Sequence, residues 1–134
     1  MGRNLVAVFS ICFILLFSAA SLLAHHSASA TYDVSKKLTL KGTVTKLEWK
    51  NPHVFYYIDV ADSTGNIVNW AIEASTPNQL YRAGWRKADM PVGTQITLKD
   101  TSPARNGSNH ASGGTVILPD GRKIFSGSVA DEKY

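Results

Sequence analysis

The sequence predicts an all-β domain with one short helix, and three observations carry that reading. From residue 37 onward, apolar residues recur with period two and not 3.6. Clusters of Gly, Asn, Asp, Ser and Pro cut this alternation into short segments. A single helix-start signature, Thr76-Pro77-Asn78-Gln79, interrupts the pattern.

The elements follow in order. In residues 37–50 the apolar positions are Leu38, Leu40 and Val44, then Leu47 and Trp49. The phase flips near Lys46, which predicts a bulge or sharp bend in one long strand, with Gly42 adding freedom. Lys50-Asn51-Pro52 is a corner. Residues 53–62 form the clearest strand: Val54, Tyr56, Ile58 and Val60 face one way, and His53, Phe55, Tyr57 and Asp59 the other. After the turn Ser63-Thr64-Gly65-Asn66, residues 67–74 supply a partner strand. Its apolar face is Val68, Trp70, Ile72 and Ala74, and Asn69 and Glu73 lie opposite. A hairpin that keeps both apolar faces together sets Tyr57 or Phe55 across from Glu73, depending on register.

Thr76 caps the helix, Pro77 takes its first position and Gln79 completes a capping box; Gly84 ends it. Residues 95–100 read as a strand with Ile96 and Leu98 inward. Residues 101–114 read as a loop, and residues 115–118 and 122–125 as a last hairpin. Three strands, a helix and two or three more strands, led by a long bent strand, match the connectivity of the OB-fold. The expected architecture is a small OB-like barrel of five to six strands with its helix between strands 3 and 4. A small open sandwich or another five-stranded barrel fits the same pattern. Trp49, Trp70 and Trp85 are expected in the core.

The first 24 residues predict export. Arg3 provides a positive start, residues 5–17 form an apolar run of 13, and Ser18-Ala19-Ala20-Ser21 follows. Such a run suits a signal peptide and falls short of the about 20 residues of a membrane span. Cleavage after Ala24 leaves His25 first; cleavage after Ala20 or Ala30 are the alternatives. Residues 25–36 read as an extended arm, 37–126 as the β domain and 127–134 as a flexible tail. The expected location is periplasmic or secreted, with no stable membrane anchor once the signal is removed.

The one cysteine, Cys12, lies inside the apolar run, so the mature chain has no disulfide and no thiolate metal site. The formal charge of +4 includes Arg3, and the remaining lysines are scattered. That balance points to solubility rather than to nucleic acid. No nucleophile elbow, phosphate loop or dinucleotide fingerprint is present, and the expectation is a non-enzymatic binding protein.

Four histidines carry the chemical signal: His25, His26, His53 and His110. Neutral imidazole suits copper, zinc and nickel. If His25 is the first residue, its amine and imidazole chelate one ion together, and His53 supplies a third nitrogen; His26 and His110 are further candidate ligands. Tetragonal nitrogen donors favour Cu(II). An α-amine with a pKa near 8 yields its proton to such an ion at neutral pH. The competing candidate is the polar strip Phe55, Tyr57, Asn69 and Glu73, a platform for a peptide, a glycan or an unidentified periplasmic protein. Arg105 is a candidate for an anionic ligand.

Several short motifs occur together: Ala24-His25-His26-Ser27, Tyr32-Asp33, Gly42-Thr43-Val44, Trp49-x-Asn51-Pro52-His53, Trp70-x-x-Glu73, Gly84-Trp85 and Ser102-Pro103-Ala104-Arg105-x-Gly107. Spread over residues 24–126, this combination resembles a family of small exported bacterial proteins known as a domain of unknown function. The resemblance implies an exported, periplasmic bacterial protein and carries no assigned activity.

Overall fold

A computed structural model describes residues 28–127 of the chain. Strand β1 is Leu38–Glu48, β2 is Phe55–Ala61, β3 is Ile67–Glu73, β4 is Gln95–Pro103, β5 is His110–Ser112, β6 is Thr115–Ile117 and β7 is Lys123–Phe125. Helix α1 is the single turn Ala28–Thr31, and α2 is Pro77–Arg82. The sheet runs β1-β2-β3-β5-β4-β6-β7, and β1 also pairs with β4. Five strands therefore close on themselves in the order 1-2-3-5-4-1, with β3 and β5 parallel. That is an OB-like barrel, with α2 between β3 and β4 as expected. The β6–β7 hairpin extends the sheet beyond β4 and stays outside the closed circle.

The bend in β1 sits where the hydrophobic phase flips. Pairing to β2 is regular from Gly42 to Val44 and resumes at Lys46, so Thr45 is the extra residue of a bulge. Upstream, a Cβ at Gly42 would run into the Asp59 carbonyl, so only glycine lets β1 press this closely on β2. A second irregularity lies between Leu38 and Leu40 opposite β4, where Asp100 takes a positive φ of 60°. Asp tolerates that conformation better than most residues.

The interior is filled from both sides of the circle. Val44, Val54, Tyr56, Ile58, Ile72, Leu98, Ala111 and Val116 are all at most 1 % exposed. Each large aliphatic side chain removed from water contributes about 1.5–3 kcal/mol before entropy is counted. Helix α2 closes one end with Leu80, and its Thr76–Gln79 capping box forms as predicted. Trp85 is fully buried, edge-on to Trp49 and Tyr56; Trp49 and Trp70 are partly buried against the same core.

Two readings need correction. The stretch 101–114 is not one loop: β4 runs on through Pro103, and His110–Ser112 is β5, the strand that closes the barrel against β3. Its three residues include one small apolar side chain, Ala111, too little for a periodic signal. The closed barrel has five strands, as expected, and the β6–β7 hairpin brings the sheet to seven. Where an extended arm is expected, residues 28–31 instead wind into a helical turn, and Tyr32 then bridges Ala104. None of the helices among the described residues is long and apolar enough to cross a membrane.

Candidate functional site

The outer face of β2 and β3 collects the polar groups that the inner face excludes. Register settles which residues meet: Phe55 lies across from Glu73, Tyr57 from Ala71 and Asp59 from Asn69. On the far side of β3, His110 pairs with Ala71 and Ser112 with Glu73. Glu73 thus stands between Phe55 and Ser112, with His110 two residues away on β5.

Glu73 organises this face. Its Oε1 meets Nδ1 of His53, which precedes β2 at the corner closed by a cis Asn51–Pro52 bond. Its Oε2 accepts a hydrogen bond of 2.6 Å from the Tyr32 hydroxyl. The side chains of His53 and Glu73 are 24 % and 21 % exposed, while Tyr32 is 4 % exposed. Burial above all, and then the hydrogen bond and charge of Glu73, push the Tyr32 phenol far above the usual tyrosine range. Tyr32 therefore remains a donor throughout the physiological pH range. A carboxylate oxygen accepts, so this contact uses Nδ1 of His53 and leaves Nε2 as the ring's other nitrogen.

The arm that brings Tyr32 here is strapped along the end of β4. Asp33 N donates to Pro103 O and Arg105 N to Thr31 O, flanking the Tyr32–Ala104 bridge. Arg105 Nε donates to Ser29 O at 2.9 Å, and Lys37 Nζ to Ser102 Oγ at 3.0 Å. The Ser102-Pro103-Ala104-Arg105 motif is thus the dock for the arm. Arg105, a candidate for anion binding in the sequence, is exposed and spends its Nε on the arm backbone.

The rest of the strip bonds to neighbouring residues of β1 and β2. Tyr57 is half-buried and donates to Glu48 Oε2 at 3.2 Å, and Lys46 Nζ lies 2.7 Å from Glu48 Oε1 and 5.0 Å from the Tyr57 ring centre. Asn69 Nδ2 donates to Asp59 Oδ1 at 2.7 Å and to Thr45 Oγ1 at 3.1 Å. Phe55 is half-buried between the Glu48 and Glu73 positions. His110 is exposed on β5.

Of the candidate metal ligands, His53 and His110 come to the same face, whereas His25 and His26 lie outside the described residues, as do the predicted signal segment and most of the tail. Among the described residues, no three His, Cys, Asp or Glu side chains converge as a metal site. A complete set would therefore draw on ligands beyond those residues. Sequence reasoning misses Tyr32 as a member of the site. Its one signal was the Tyr32-Asp33 pair among the motifs, and nothing local tells that its partner lies 41 residues away.

No curated protein and no solved structure matches the chain. One family model does, over residues 14–113. That span includes His25, the arm, all five barrel strands and the Tyr32–Glu73–His53 group, and it ends before the β6–β7 hairpin. The match covers most of the sequence, and the chain belongs to the family of unknown function DUF6152.

Proposed function

We propose that this protein is an exported, periplasmic, non-enzymatic binding protein whose ligand is a copper ion. The observation that carries the reading is the clamp on His53. Metal-binding imidazoles typically pass their second nitrogen to a carboxylate, which fixes tautomer and ring orientation and raises the basicity of the ligating nitrogen. Glu73 does this to Nδ1, and Tyr32 in turn steadies Glu73. The ligating atom is then Nε2 of His53.

The remaining donors come from the start of the mature chain. His25 stands seven residues before Tyr32, and with residues 28–31 in their helical turn that length of chain spans at most about 20 Å. Tyr32 is itself two hydrogen bonds from His53. The amine and imidazole of His25 are thus within reach of Nε2, and three nitrogens of this kind favour Cu(II) over the harder divalent ions. His26 and His110 are supplementary ligands in this reading. The strip Phe55, Tyr57, Asn69 and Glu73 is the weaker basis for a function, because Tyr57 and Asn69 are already bonded to Glu48, Asp59 and Thr45 and Glu73 to Tyr32 and His53.

The test is the intact mass of the protein taken from the exported fraction under native conditions. A chain beginning at His25 with one copper bound is the expected result. A chain beginning at Ser21 that takes up no Cu(II) on titration removes the N-terminal amine from the chemistry and sinks the reading.

A further inference from the structure

We infer that Tyr32 and Glu73 form a latch that makes docking of the N-terminal arm and seating of a metal at His53 mutually reinforcing. The coupling rests on the metal reading above; the latch itself does not.

Two kinds of contact hold the arm, and they differ in what they reach. The bonds to Pro103, to Arg105 and from Lys37 to Ser102 tie the arm to the end of β4, and none of them involves His53. The Tyr32 hydroxyl crosses from the arm to β3, where it meets the carboxylate that holds the imidazole. The two oxygens of Glu73 are divided, one to the arm and one to the histidine. A glutamate side chain gives up rotamer freedom when it is fixed. With Tyr32 in place that cost is already met, so His53 gains an oriented partner without meeting it again. The converse holds by thermodynamic reciprocity: a metal that fixes His53 fixes Glu73, and a fixed Glu73 holds Tyr32 and the arm more firmly. The group is mostly shielded from water, which strengthens each of its hydrogen bonds. Tyr32 and Glu73 are positioning residues in this scheme, and neither touches the ion.

The substitution Tyr32→Phe isolates the latch, because it keeps the buried ring and deletes only the hydroxyl. Two measurements on the mature chain then separate latch from metal. In metal-free protein, amide exchange of residues 31–36 is expected to be about tenfold faster in Tyr32→Phe than in wild type, the effect of one lost charge-assisted hydrogen bond. In Cu(II) titrations, Tyr32→Phe and Glu73→Gln are expected to weaken binding about ten- to a hundredfold and to change the Cu(II) electron paramagnetic resonance spectrum. Copper should also slow arm exchange more in wild type than in Tyr32→Phe. Equal arm exchange in the metal-free proteins overturns the latch. Faster arm exchange with unchanged copper affinity keeps the latch and overturns the coupling. A wild-type chain that takes up no Cu(II) overturns the metal reading and the coupling with it, while the exchange data still decide whether the latch exists.

Discussion

The two faces of β2 and β3 are made by the same residues in alternation, yet they do opposite work. Toward the barrel axis, Val54, Tyr56, Ile58 and Ile72 are fully buried, and the one polar atom among their side chains, the Tyr56 hydroxyl, lies 3.5 Å from Ser126 Oγ. Toward the outside, His53, Phe55, Tyr57 and Glu73 are half-buried, and all but Phe55 bond through polar side-chain atoms to other residues. A strand period of two separates these roles with one-residue resolution. The core and the polar groups of the outer face can therefore be changed independently at neighbouring positions, and that separation is open to attack.

The strongest attack is on the inner face. Ile58→Ala removes a fully buried side chain and leaves a cavity, with an expected loss of about 2–5 kcal/mol in urea denaturation. On the copper reading, the Cu(II) affinity of the folded fraction should not change. A parallel fall in affinity would mean that the two faces are mechanically linked.

Alkaline pH offers a second attack. Tyr56 and Tyr32 both have phenols pushed up chiefly by burial, one on each side of the barrel wall. A phenol raised in the folded state contributes stability that is complete below the unfolded value near 10 and is lost as pH rises above it. Between the two values the folded state holds the extra proton, so stability falls by about 1.4 kcal/mol per pH unit for each such group. Wild type should lose stability steeply above pH 10, and Tyr32→Phe should remove the Tyr32 contribution and leave that of Tyr56. Identical slopes in the two proteins would show that Tyr32 ionises freely in the folded chain.

Helix α2 gives a smaller effect on the inner side alone. Thr76→Ala deletes the side-chain cap and the box with Gln79, for an expected loss of about 1 kcal/mol in denaturant midpoint and no change in metal binding. A loss of affinity here would place α2 within the reach of the site.

Much of the inner face was legible in the sequence, and much of the outer face was not, for one physical reason. Burial selects residue type at a fixed period, so the alternation in β2 and β3 and the phase flip near Lys46 can be read locally. The short helix is equally local, because its cap and its first turn are adjacent in sequence. Strand β5 has no such signature: His110-Ala111-Ser112 becomes a strand only because β3 and β4 offer free edges on either side. Tyr32 is harder still. A buried phenol between an arm and a carboxylate on another strand depends on a docking geometry that no window of sequence contains. His53 and Glu73 could be nominated from their faces, but the bond between them depends on how the Pro52 corner meets the end of β3.

The outer face can itself be divided, and the smallest expected effect does so. Tyr57 and Glu48 form one polar group with Lys46; Tyr32, Glu73 and His53 form another. The residues between them, Phe55 and Ala71, carry no polar side-chain atom, so no hydrogen bond connects the groups through these positions. Tyr57→Phe deletes the 3.2 Å bond to Glu48 at a half-exposed site, and its cost should lie at or below about 0.5 kcal/mol. Copper affinity and arm exchange should both match wild type. If Tyr57→Phe instead lowers affinity as Glu73→Gln does, the strip works as one network, and the boundary drawn at Phe55 is wrong. If it leaves copper untouched while abolishing retention of a protein partner from the same compartment, the outer face holds two sites, with the aromatic strip serving the second.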